Sequence, residues 1–182
     1  MQPIGPLMHE HRRIERMVDL IKKERERLAG GGEPDIHLLS SAADFFSVYA
    51  DRCHHGKEED ILFEELEKRG DIPKELDEIR KKLVREHEQA REHVQNLRKA
   101  YGDYHTGGGK EAKQRISEIL DKLTGLYPQH IETEDKEFFF PVMELFSKEE
   151  QGEMLERFYE FDREMIHEKY EHVVAEFEEK GD

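Results

Sequence analysis

Four segments of this 182-residue chain carry apolar residues at alternating spacings of three and four, and each stripe holds one histidine where an aliphatic residue belongs. The first stripe is Ile4, Leu7, His11, Ile14, Val18, Ile21 and Leu28. The second is Phe45, Val48, Arg52, His55, Glu59, Leu62 and Leu66. The third is Leu76, Ile79, Leu83, His87, Ala90, Val94, Leu97 and Tyr101, and the fourth is Ile116, Leu120, Leu123, Tyr127, His130, Glu134 and Phe138. Such stripes predict amphipathic helices over 6–29, 35–69, 73–101 and 110–145, separated by Gly- and Pro-bearing clusters at 30–34, 70–73 and 101–109. A fifth helix over 148–179 opens on a capping box, Ser147 with Glu150 three residues on. Pro128 inside the fourth predicts a kink or brief break. The fold class is all-α: an up-and-down antiparallel four-helix bundle over 1–146, with an additional C-terminal helix over 147–182.

In such a bundle the four histidines come to one level, because helix lengths before and after the turns are matched. The chain also repeats itself. Glu10-His11 recurs as Glu86-His87, and the His-x-x-x-Glu-Asp string at 55–60 recurs at 130–135. Two copies of one helical hairpin therefore bring a lone histidine and a His-x-x-x-Glu pair each, converging four imidazoles and two carboxylates on the axis. Buried together these groups are costly unless a cation joins them. Imidazole with carboxylate suits iron, manganese or zinc, and the lack of cysteine at these positions excludes a Cys-rich zinc site or an iron–sulfur cluster.

Other polar residues read differently. His54 is expected at the surface or supporting a ligand, His93 on another face, and His37 and His105 near segment ends; His167 on the fifth helix could cap the bundle. Arg52 on the buried stripe needs an acid such as Glu10 or Glu86. Tyr127 reads as core, and Cys53 as a buried apolar residue. Gly56 would allow close approach of a neighbouring element.

A formal charge of −15 excludes nucleic acid and anionic membrane as partners, and no apolar run approaches the roughly 20 residues of a membrane span. With a single cysteine there is no internal disulfide, and a cytoplasmic location is expected.

The stretches LMHEHRRI, HHGKEEDILF, VREHEQAR and HIETEDKEFFFP, spread over residues 4 to 145, resemble the hemerythrin-like, or HHE cation-binding, domain family. That resemblance implies a non-haem di-iron centre with His11, His55, Glu59, His87, His130 and Glu134 as metal ligands, Glu59 and Glu134 bridging. Asp135 is the alternative to Glu134 should Pro128 loosen the helical phase. Oxygen-carrying members have a His-x-x-x-His pair on the third helix. Here Leu83 and Arg91 flank His87 at that distance, so coordination positions are left for oxygen, nitric oxide, peroxide or water. The function implied is binding or sensing of such a small oxidant, or iron handling. Alternatives are a di-iron enzyme that activates oxygen or peroxide or donates iron for cluster repair, and a structural bundle held by zinc or manganese. The fifth helix has apolar positions Met154, Phe158, Phe161 and Met165, then a shifted set Ile166, Tyr170, Val173 and Phe177, which suggests one face for the bundle and one for a second copy in a homodimer.

Overall fold

The computed structural model describes residues 2–179, with side chains described for 2–165. It is an antiparallel bundle of four long helices with a fifth lying against it. Helix α1 is Ile4–Ala29, α2 spans 36–69, α3 is Lys74–His105, α4 spans 109–143 and α5 is Lys148–Glu179. Local chemistry sets the ends. Asp35 caps α2 by accepting a hydrogen bond from the Leu38 amide at 3.0 Å, and Gly70, at φ 75°, takes the left-handed turn that stops it. The capping box at α5 forms in both directions: the Glu150 amide donates to Ser147 Oγ and the Ser147 amide donates to Glu150 Oε2.

The expected stripes of α1 and α4 are buried throughout, and that of α3 over most of its length. The expected stripe of α2 is corrected by the structure. Arg52 is exposed and Phe45 and Val48 are half-buried, while the inward face carries Phe46, Ala50, His54, Glu58, Leu62 and Leu66. These six recur every fourth residue. At 3.6 residues per turn, a four-residue repeat would drift by about 40° per step and leave the core within a few turns. It stays inward because α2 is under-wound to π-helix over Phe46–His55 and Glu58–Phe63, with α-helix on either side. Helix α4 continues through Pro128 without a break, and its wide turn comes later, at Glu134–Phe138.

The interior is two apolar blocks. One contains Ile14, Val18, Ile21, Phe46, Leu97, Leu120 and Tyr127. The other contains Leu7, Leu62, Leu66, Leu83, Phe138 and Phe139 together with Met154 and Phe158 from α5. Between them, in sequence and on every helix of the bundle, lie the histidines. Helix α5 packs along the π-helical part of α2, and just beyond that part Arg157 bridges to Glu64 and Glu65. The side chains of Ile166, His167, Tyr170, Val173 and Phe177 lie outside the described residues.

Candidate metal centre

The under-wound turns of α2 decide which of its residues enter the layer. His54 and His55 are both 1% exposed, and Glu58 is fully buried. Glu59, expected at the centre, instead points to the flank, where its carboxylate accepts from His87 Nδ1 at 2.6 Å and from the Arg91 guanidinium at 2.7 Å. His54, expected outside or in support, faces inward. His11, His55, His87, His130 and Glu134 are brought together with His54 and Glu58. His37 and His105 are exposed and His93 half-buried, all outside the layer.

The arrangement is a near-twofold one with a single sequence offset. His11 Nε2 lies 3.0 Å from His54 Nε2, and His87 Nε2 lies 3.1 Å from His130 Nε2. Outside them, Glu10 holds His54 Nδ1 and Glu86 holds His130 Nδ1, each at 2.9 Å. Asp135 holds His11 Nδ1 at 2.7 Å, as Glu59 holds His87. Residues 10, 11, 54, 58 and 59 correspond to 86, 87, 130, 134 and 135, always 76 apart. His55 has no such counterpart, since Ile131 stands in its place. It stacks on His87 with ring centroids 3.8 Å apart, and Asp51 holds its Nδ1 at 3.2 Å.

Each of the five imidazoles thus has Nδ1 against a carboxylate, the arrangement that fixes a histidine with Nε2 free for a metal. Those Nε2 atoms surround the two buried carboxylates: His11 and His130 stand 3.1 and 3.0 Å from Glu134, and His54 and His87 stand 3.6 and 3.4 Å from Glu58. None of the four oxygens of Glu58 and Glu134 makes a hydrogen bond. Leaving four such atoms buried costs several kcal/mol without a cation. The Nε2 pairs fit the same conclusion, because two ligand nitrogens at right angles on one ion, with bonds of about 2.1 Å, sit about 3.0 Å apart.

The electrostatics of the protein alone show protons standing where a cation would. Burial and the neighbouring Glu134 push Glu58 well above the carboxylate range. For Glu134 burial is outweighed by the charge of His130 and the contacts of His11 and His87, which hold it low. His54 and His55 are driven well below the usual imidazole range, by burial and then by His11 and by His87 respectively. For His130, burial is overcome by Glu134 and Glu86, which raise it to about 9; His11 is raised in the same way, by Asp135 and Glu134. His11 and His130, held towards the charged form, are the imidazoles that a divalent ion would deprotonate on binding.

The groupings that could hold a metal are His11, His54, Glu58 and Glu134 on one side, and on the other Glu58, His87, His130 and Glu134, with His55 grouped with His87 and His130. The fold and this layer define a class, helical bundles that hold cations between histidines and carboxylates. The profile of the hemerythrin HHE cation-binding domain matches residues 2–140, so the chain belongs to that family and is a metal-binding protein. No curated protein and no solved structure matches it significantly. Among the described residues no helix is long and apolar enough to cross a membrane.

Pairing His55 with His130 sets the second helix of each hairpin at an offset of 75, against 76 for the first. The signal for the alternative was present: an offset of 76 places Glu10, His11, His54 and Glu58 on Glu86, His87, His130 and Glu134 at once.

Proposed function

We propose that this protein holds two iron ions, for which Glu58 and Glu134 would be the carboxylate ligands shared by both, and that it binds a small oxidant such as oxygen, nitric oxide or peroxide there. His11 and His54 serve one ion, and His55, His87 and His130 serve the other. The single observation that carries this reading is the set of four buried, unbonded carboxylate oxygens ringed by Nε2 atoms. Glu59 belongs to the support: it orients His87, while Asp135 does the same for His11. A bound iron pair would supply one- and two-electron redox chemistry to a ligand.

The protein's own residues set what can reach it. Aromatic rings close the layer on the side of the second apolar block, with Phe139 stacked on His11 at 5.6 Å and Phe63 on His87 at 6.2 Å. On the other side a cavity of about 140 Å³, lined by Phe46, Ala90, Val94, Tyr127, Asp51 and Arg91, adjoins the residues that support His55. That volume has room for a small molecule. His55 gives the His87–His130 side three imidazoles against two on the His11–His54 side.

Metal content per chain on anaerobically purified protein, followed by optical spectra before and after air or nitric oxide is admitted, tests this. Two irons per chain with a ligand-dependent absorption change is the expected result. One zinc, or none, with an unchanged spectrum would move the weight to a structural bundle.

A further inference from the structure

Lys57 is a fully buried cation that the metal layer does not use. It lies on α2 between His55 and Glu58, and the repeat places Thr133 opposite it, so it answers to something outside the two hairpins. Its ammonium has two carboxylate partners. One is Glu10 Oε1, the other oxygen of the carboxylate that holds His54 Nδ1, and the second is Asp162 of α5 at 2.6 Å. One residue earlier, Gly56 receives the ring of Phe161, also from α5. A Cβ at Gly56 would fall 2.7 Å from Phe161 Cζ, so only glycine admits the ring there.

We propose that Lys57 and Asp162 are positioning residues for the His11–His54 half of the centre, and that α5 is a clasp whose docking is coupled to metal loading. The inference rests on the two-metal reading above. Asp162 and Phe161 grip α2 at the two residues between its wide turns, where ligands lie on either side. A buried ammonium needs its charge matched. With Asp162 in place, Glu10 shares one oxygen with Lys57 and keeps the other on His54. Without it, Glu10 is the one carboxylate left to Lys57, and the imidazole loses its fixed orientation. Coupling of this kind is reciprocal: if docking holds His54 for the metal, metal holds α5 on the bundle. The residues matched to the family end at 140, so α5 lies outside the matched domain.

Cys53 is the reporter. It is the sole cysteine, and its Sγ lies 3.3 Å from Asp162 Oδ1, half-buried beneath α5. The experiment measures the rate of Cys53 alkylation by a maleimide in the full chain, metal-free and loaded with ferrous iron under argon. Iron release to a ferrous chelator is followed in parallel. Loading is expected to slow alkylation of the wild type several-fold. Asp162→Asn and Phe161→Ala, on the outer helix, should each restore the metal-free alkylation rate in loaded protein and speed iron release about 10-fold or more, the scale of a lost supporting partner. Phe161→Ala changes no charge, so agreement between the two variants ties the effect to docking. Two irons bound with equal alkylation in loaded and metal-free wild type, and wild-type release from both variants, would overturn the clasp alone. A wild type that takes up no iron would overturn the centre and the clasp with it.

Discussion

At the scale of single residues, Glu58 and Glu59 differ in burial and in partners, and that difference separates the carboxylate proposed as a metal ligand from one that supports a histidine. Glu58 is enclosed with no hydrogen bond, and Glu59 is a quarter exposed with two firm partners. Burial and Glu134 push Glu58 towards its neutral form in the metal-free protein, and glutamine is the neutral side chain of the same shape, so the fold should stay intact. Glu58→Gln should therefore fold as the wild type does but bind at most one iron per chain. Glu59→Gln should keep two, with affinity reduced about 10- to 100-fold through the loosened His87. Metal content after desalting, with a competition titration against a chelator, distinguishes the two. Two irons in Glu58→Gln and fewer in Glu59→Gln would return the bridge to Glu59. The adjacent pair His54 and His55 shows why the sequence is ambiguous here: in a regular α-helix they are about 100° apart and only one can face inward. The widened turns bring both in, one to each half of the centre.

At the scale of elements, helix positions, the short connections and the α5 capping box were all readable from apolar spacing and from Gly, Pro and Ser placement, because those signals are local. The phase of α2 was not, because under-winding is set by what the helix faces. Arg52 was assigned to the buried stripe on regular α-helical spacing and is exposed, while Lys57, off that stripe, is the buried cation. The four-residue recurrence from Phe46 to Leu66 is the sequence trace of the wide turns. Pro128 is a local signal that misled, since α4 runs through it. The capping box offers a check on α5. Ser147→Ala removes the hydroxyl that accepts from the Glu150 amide and should cost about 1 kcal/mol. Hydrogen exchange should then show faster opening of residues 148–152 with metal stoichiometry unchanged. Unaltered exchange there would mean that packing of Met154 and Phe158 alone fixes the start of the helix.

At the scale of the whole molecule, two apolar blocks are joined through a polar layer that carries two buried carboxylates without hydrogen bonds. That layer is the weak section of the core, and it is where all four helices of the bundle meet. A ligand that binds the folded chain alone stabilises it by about 2.7 kcal/mol when present at a hundredfold over its dissociation constant. For a chain of this size each kcal/mol raises Tm by about 2–4 °C, so one site filled to that level should add about 5–10 °C and two sites more. Zinc should stabilise nearly as iron does, because the gain comes from joining carboxylates to imidazoles and needs no electron transfer. Calorimetry of metal-free, zinc-loaded and anaerobic iron-loaded protein checks this, and a shift below about 2 °C for both metals would show that the layer is already satisfied without a cation. The same comparison by hydrogen exchange places the effect: protection should rise on both blocks together, because the metals tie α1 and α2 to α3 and α4 across the layer that divides them.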